Sequence, residues 1–254
     1  MFSVQNPYPV GDCNNIPKDR RELYRCPTFK VQAPKGYKTF DYSKPHGLSS
    51  QTEEYNYRRF PRHPIGVVLD LDETLVHTRS NPNEPEITFD EKNSDHYQVS
   101  LGRNEIATGV KRPHLDDFLD FLFKNTYPVI VWTAGHSGYC ADICKTIFKN
   151  DWPTRIYTYD DCEIDDEDLV KKPLRKVYED FPHVVQKDRL VVVDDRLSAY
   201  YPRDTKNLIE IKKWKAIGED TCLLQAKDYI ADLKKKSGDL RSIVKSEDWI
   251  EFWN

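Results

Sequence analysis

The sequence predicts an α/β protein built on a central parallel sheet with helices on both faces. Three short, continuous apolar runs, at residues 65–69, 128–132 and 190–193, lack the alternation of a half-exposed strand. They read as strands buried on both sides. Residues at helical spacing fill the segments between them, and strands that alternate with helices form parallel sheets. Each run ends abruptly in polar residues: Asp70-Leu71-Asp72-Glu73-Thr74, Thr133-Ala134-Gly135 and Asp194-Asp195. That is the sheet edge at which open α/β folds place their ligands.

Residues 1–63 are rich in Pro, Tyr, Lys and Arg and show neither the helix nor the strand period. They are expected to form an extended arm, and their aromatics (Tyr8, Tyr24, Phe29, Tyr37, Phe40, Tyr42) favour wrapping against the core over free disorder. The main domain is expected at 64–236. Its first strand ends at Asp70. The polar stretch 79–95, with two prolines, reads as a loop. Residues 96–101 and 105–110 flank Gly102-Arg103-Asn104 as a β-hairpin. Leu115, Phe118, Leu119 and Leu122 follow Pro113 at helical spacing. After the strand at 128–132 come a helix at 139–148, a short strand at 155–159 and a helix at 174–181. The strand at 190–193 is followed by a short edge strand at 207–211. An amphipathic helix at 219–236 directs Leu223, Leu224, Ala226, Tyr229, Ile230 and Leu233 inward. Residues 237–254, with Trp249 and Trp253, read as a C-terminal docking tail.

Composition narrows the class. Apolar residues make up 38% and charged residues 31% of the 254, which suits a globular chain with a true core. The net charge of −4 gives no support for a general polyanion binder. Six cysteines (Cys13, Cys26, Cys140, Cys144, Cys162, Cys222) show no framework spacing, so a reduced, intracellular protein of nucleus or cytoplasm is expected. No apolar stretch approaches the ~20 residues that span a bilayer. The first residues lack the basic and apolar regions of a secretory leader.

Aligned side by side, the three strand ends bring together Asp70, Asp72, Thr74, Thr133, Asp194 and Asp195, with Lys171-Lys172 just ahead of the next helix. Four acids at one point repel unless a divalent ion neutralises them. Carboxylates without a His or Cys cluster favour Mg²⁺ over Zn²⁺. Thr133 and the backbone N–H groups after it suit phosphoryl oxygens, and a lysine opposite the metal balances charge in phosphoryl transfer.

In these residues the chain resembles the haloacid dehalogenase superfamily, and more narrowly its Fcp and small-CTD-phosphatase branch. The matching segments begin with Val68-Leu69-Asp70-Leu71-Asp72-Glu73-Thr74-Leu75-Val76-His77 and Lys111-Arg112-Pro113-His114-Leu115. Val131-Trp132-Thr133-Ala134-Gly135, Lys171-Lys172-Pro173-Leu174 and Val191-Val192-Val193-Asp194-Asp195 follow in the family's order. The resemblance implies a Rossmann-like three-layer sandwich with a hairpin insert and no large cap domain. It implies a Mg²⁺-dependent phosphatase of phosphoserine or phosphothreonine in proteins, the RNA polymerase II C-terminal repeat among the substrates. Asp70 would be the nucleophile that becomes phospho-aspartate, and Asp72 the proton donor and then the base. Thr133, Ala134 and Lys172 would bind the phosphoryl group, and Thr74 would fix the first motif's geometry. The Asp70 carboxylate, the Asp72 backbone carbonyl and Asp195 would hold Mg²⁺, with Asp194 orienting them.

The chain departs from its relatives in two places. Pro173 stands where many members carry Asp after the lysine, which leaves Lys171 as an alternative to Lys172. Asp194-Asp195 stands where small CTD phosphatases have Asp-Asn. The gaps between motifs hold a hairpin and one helix, then a helix and a strand. Neither fits a large cap of the kind that closes over small metabolites, so a phosphopeptide that supplies its own cover is the expected substrate. Arg112-Pro113, His77 and Trp132 read as structural, Cys140 and Cys144 as packed thiols, and the acidic run 160–168 as a solvated loop. Lys234-Lys235-Lys236 suits a helix C-terminus. Two other functions remain open at this level: a phosphatase of nucleic-acid ends, disfavoured by the acidic charge, and a non-catalytic scaffold or receptor, disfavoured by the filled motifs.

Overall fold

The computed structural model describes residues 64–244, apart from 80–83, 85, 91, 103–104, 150 and 183. The expected arm at 1–63 and the tail's Trp249 and Trp253 lie outside the described residues. The elements in chain order are β1 (Gly66–Leu69), β2 (Val76–Thr78), β3 (His96–Gly102), β4 (Glu105–Lys111), α1 (Leu115–Asn125), β5 (Val129–Trp132), α2 (Ser137–Ile147), β6 (Arg155–Tyr157), β7 (Glu163–Ile164), β8 (Val170–Lys171), α3 (Arg175–Asp180), β9 (Leu190–Asp194), β10 (Leu208–Glu210), α4 (Cys222–Lys235) and α5 (Arg241–Val244).

The central sheet runs β10-β9-β1-β5-β6, with every pairing parallel. Every residue of β1, β5 and β9 is buried, and the reason is visible in the alternation of faces. Val67, Leu69, Val129, Val131, Val191 and Val193 join one core with α1, α2 and α4. Val68, Ile130, Trp132, Leu190 and Val192 join a second core on the opposite face with Leu174, Val177 and Phe181 around α3. Both faces of the strand need apolar side chains, hence the unbroken runs in the sequence. Leu69 stands opposite Val131 and Val193. This register puts the residues after the three strands on one rim.

The segment between Thr74 and Thr133 holds more than the expected hairpin. Val76–Thr78 adds a third strand, so the insert is an antiparallel sheet of order β2-β4-β3. Tyr97 on β3 lies across from Gly109 on β4. A Cβ at Gly109 would come 2.3 Å from Tyr97 Cζ, so the aromatic ring occupies space that only glycine leaves. Between Thr133 and Lys172 lie α2, β6 and the two-stranded ladder β7-β8. Among the described residues neither segment forms a cap domain.

Two expectations need revision. Leu224, expected inward on α4, is only half-buried, while Leu223, Ala226, Ile230 and Leu233 are buried. The core also continues past the expected boundary at 236, because Leu240 and Val244 are buried in the main cluster and Leu240 N–H donates to Asp188 O at 3.0 Å. No helix among the described residues is long and apolar enough to cross a membrane.

Candidate active site

The loop after β1 is held from three sides. Asp70 N–H donates to Val193 O on β9 at 3.0 Å, which sets the first acid beside the second strand end. Glu73 adopts a left-handed backbone with φ 64°, a conformation that costs a non-glycine residue on the order of 1 kcal/mol. Thr74, fully buried, accepts a hydrogen bond from Asp195 N–H at 3.1 Å and lies 3.3 Å from Asp195 Oδ1. Thr74 thus ties the first motif to the last.

Arg112 clamps the same loop from behind. Its guanidinium donates to Thr74 O at 3.0 Å, Glu73 O at 3.4 Å and Lys212 O at 2.8 Å. It also makes a bidentate pair with Asp220 at 2.8 Å on both arms. Burial works to raise the Asp220 carboxyl, but the hydrogen bonds and charge of Arg112 outweigh it and hold the group below its ordinary range. Arg112 is 1% exposed. Arg112→Ala is therefore expected to cost about 3–5 kcal/mol, the penalty for leaving one member of a buried ion pair alone. Denaturant midpoints at unchanged m-value check this. Arg112→Lys recovers only part of the loss, because an ammonium lacks the planar fork.

The strand ends converge as the motif spacing suggested. Lys172 Nζ lies 2.6 Å from Asp70 Oδ1 and 2.7 Å from Asp194 Oδ2, with Nζ 5.8 Å from the centre of the Tyr200 ring. The Tyr200 hydroxyl donates to Asp194 Oδ2 at 2.8 Å, and Arg196 N–H donates to Asp194 Oδ1 at 2.8 Å. Lys171, the neighbouring alternative, turns away. Its Nζ donates to Ser198 O at 2.8 Å and pairs with Asp165 at 3.3 Å. Lys171 ends β8, and the next residue turns the other way with its N–H held by Ala199 O at 2.7 Å, so only Lys172 enters the site.

Burial is the first cause that raises the Asp70 carboxyl well above its ordinary value. Asp194 adds to it and Lys172 opposes it. Burial and Asp194 raise Asp195 as well. For Lys172, burial favours the neutral amine, but Asp194 and Asp70 outweigh it and keep the ammonium charged. One lysine thus faces an excess of carboxylate. Asp70, Asp194 and Asp195 each offer an oxygen, and these oxygens lie within 4.8 Å of one another. An all-oxygen donor set with surplus negative charge fits Mg²⁺.

Asp72 stands apart from that cluster. One oxygen, Oδ1, meets the Tyr139 hydroxyl, and Oδ2 lies 3.4 Å from Thr133 Oγ1. Burial raises this carboxyl to about 6, while Tyr139 and Thr133 pull it down. Gly135 N–H donates to Thr133 Oγ1 at 2.9 Å. That backbone donor, expected to face a phosphoryl group, is therefore engaged with the threonine. Thr133, Ala134 and Gly135 line one wall of the cleft, and Asp70, Asp72, Asp194 and Asp195 share it with Glu73, Arg196 and Lys213. Lys213 pairs with Glu73 at 2.6 Å and approaches Asp195 at 4.0 Å.

Sequence reasoning missed Tyr139, Tyr200, Arg196 and Lys213. Tyr139 carried a usable signal: helical side chains lean towards the helix N-terminus, so a tyrosine in the first turn after the Thr133 loop points back at the rim. Tyr200 and Lys213 are placed by irregular segments that have no period to read. The remaining motifs are structural. His77 is buried between Glu73 and Glu84 at 3.9 and 4.0 Å, and burial lowers its pKa. The Sγ atoms of Cys140 and Cys144 lie 3.8 Å apart as buried free thiols. In the acidic run, Asp165 Oδ1 accepts hydrogen bonds from Glu167 and Leu169 N–H and closes its own turn.

A family model described as NLI interacting factor-like phosphatase matches residues 65–241. The chain is similar to a CTD nuclear envelope phosphatase 1 homolog of Drosophila melanogaster, 28% identical over 210 residues that cover 76% of this chain and 82% of the relative. CTD nuclear envelope phosphatase 1B of Danio rerio is 28% identical over 181 residues, 70% of each. A solved structure of Fcp1, an essential RNA polymerase II CTD phosphatase, aligns at 20% identity and TM-score 0.44, over 76% of this chain and 54% of that one.

Proposed function

The chain belongs to the NLI interacting factor-like phosphatase family, a haloacid-dehalogenase-like branch, and on that footing we propose that it is a Mg²⁺-dependent protein phosphatase acting on phosphoserine or phosphothreonine through a phospho-aspartyl intermediate. The observation that carries this reading is Lys172 seated between Asp70 and Asp194, with Asp195 beside them and Asp72 across the cleft beside Thr133.

In this reading Asp70 attacks phosphorus. The bond from phosphorus to the serine or threonine oxygen breaks, and that oxygen leaves with the electron pair and takes a proton from Asp72. Asp72, now a carboxylate, then removes a proton from water, which attacks the phospho-aspartate and frees Asp70 and inorganic phosphate. This divides one difficult displacement into two, each served by the same acid–base group. Thr133 donates its hydroxyl to a phosphoryl oxygen beside Ala134. Lys172 holds Asp70 in place and steadies the charge of the transferring group. Mg²⁺, held by the Asp70 and Asp195 carboxylates and the Asp72 main-chain carbonyl, with Asp194 orienting them, would neutralise phosphoryl charge and align the in-line displacement.

Among the described residues the insert sheet and the β7-β8 ladder leave the cleft without a cap domain, which supports a peptide substrate over a small metabolite. Phosphopeptides head the panel, the RNA polymerase II repeat first among them. The test is hydrolysis of 4-nitrophenyl phosphate and of that panel, with Mg²⁺ and with chelator. Turnover that chelator abolishes and Mg²⁺ restores is expected. A folded protein inert toward aryl phosphate and phosphopeptides under every divalent metal would sink the enzymatic reading.

A further inference from the structure

A file of three hydroxyls runs from the Asp72 carboxylate into the insert sheet. The Tyr139 hydroxyl, in the first turn of α2, meets Asp72 Oδ1 and lies 2.7 Å from Thr78 Oγ1 at the end of β2. Thr78 Oγ1 lies 2.7 Å from the Tyr97 hydroxyl on β3. All three side chains are buried.

Proton bookkeeping fixes the donor to Asp72. Three hydroxyls own three protons, and three contacts link them to one carboxylate. The Tyr139 hydroxyl stands as donor toward both Asp72 Oδ1 and Thr78 Oγ1; its one proton goes to Asp72, the charged and stronger acceptor, and Thr78 and Tyr97 share a proton between their oxygens. A proton shared with the substrate must then sit on Oδ2, the oxygen that faces Thr133 across the cleft. The far end of the file is fixed by backbone. The Tyr97 hydroxyl would lie 2.4 Å from a Cβ at Gly109, so the glycine makes the seat.

We propose that Tyr139, backed by Thr78 and Tyr97, is a positioning residue that fixes the Asp72 carboxyl with Oδ2 toward the leaving-group oxygen. The insert sheet then belongs to the acid-catalytic apparatus and is more than cover for the cleft. This rests on the reading in which Asp72 protonates the leaving group. In the transfer step the Asp70–phosphorus bond forms and the phosphorus–alcohol oxygen bond breaks. The electron pair stays on the alcohol oxygen, which takes the proton from Oδ2. Tyr139 keeps its own proton throughout and ends as donor to the Asp72 carboxylate.

The test compares two leaving groups, because a nitrophenolate departs without a proton and an alkoxide does not. With the Mg²⁺-loaded protein, Tyr139→Phe is expected to lower kcat/KM for a phosphothreonine peptide by about 10²-fold, within the range of general acid catalysis. The loss on 4-nitrophenyl phosphate is expected to be below about 3-fold, since kcat/KM reads the first irreversible step. Thr78→Val and Tyr97→Phe shift the same ratio in the same direction, and Thr78→Ser restores it. These variants also carry the test if Tyr139→Phe does not fold. Equal losses on both substrates in folded variants overturn the inference and leave the phosphatase reading standing. A wild type inert toward both substrates sinks that reading, and the inference with it.

Discussion

Asp70→Asn is expected to lower turnover of aryl phosphate and phosphopeptide alike by at least about 10⁴-fold, the scale seen when a covalent nucleophile is removed. Asparagine keeps the shape of the side chain and loses its nucleophilic charge. Lys172 still has Asp194 at 2.7 Å, so the substitution leaves no orphaned ammonium. An acid quench of the wild type with labelled substrate is expected to trap phosphate on the protein, and the Asn variant none. A variant that keeps a tenth of the activity would mean that water attacks phosphorus directly, and the covalent mechanism would fall.

The same variant has an opposite effect on stability. Burial, with Asp194 beside it, raises the folded-state pKa of Asp70 above the ordinary 3.8. Between the unfolded and folded values the native state binds more protons than the unfolded chain, so stability falls as pH rises through that window. Above the folded value the loss is complete. Asn does not titrate, and metal-free Asp70→Asn is therefore expected to melt higher than metal-free wild type at neutral pH. Saturating Mg²⁺ is expected to narrow or reverse the difference, because an ion that binds only the folded state stabilises it by mass action. Melting both proteins in chelator and in Mg²⁺ reads the effect.

What was legible in the sequence follows from which forces are local. The strands at Gly66–Leu69, Val129–Trp132 and Leu190–Asp194 were visible because burial on both faces demands unbroken apolar runs. Their polar ends were visible because acids cannot continue such a run. The partner of Arg112 was not visible, since Asp220 lies 108 residues away in a segment without a period. Strand β2 was hidden because three residues between the loop after β1 and a polar stretch carry no alternation to count. The choice between Lys171 and Lys172 was not visible, because it depends on Lys171 ending the two-residue ladder with β7 and on Ala199, far along the chain, holding the Lys172 N–H. Tyr97 fell inside an expected hairpin strand, and its place across from Gly109 depends on a register the sequence does not display.

Lys172→Met is expected to damage stability and activity together, and its pH dependence separates the two. Methionine keeps most of the buried length and removes the charge that Asp70 and Asp194 meet at 2.6 and 2.7 Å. At neutral pH in chelator the loss of stability is expected to be about 3–5 kcal/mol, the cost of leaving buried carboxylates without their counter-charge. Asp194 and Asp70 hold the lysine's folded-state pKa above its ordinary 10.5. Its stabilising contribution is therefore fully present below that value and is lost only in strong alkali. The wild-type advantage should shrink instead toward acid, as Asp70 takes up a proton and no longer needs the ammonium. Asp70→Asn in the same chain should relieve part of the damage, with a coupling energy of about 1–3 kcal/mol in a double-mutant cycle. Lys171→Met provides the contrast: its Nζ reaches Ser198 O and Asp165 instead of the cleft, so kcat should change by less than about 3-fold, since the lost contact makes no difference between ground and transition state. A Lys172→Met protein as stable and as active as wild type would show that the acids are balanced by another group, and Lys172 would lose both of the roles proposed for it.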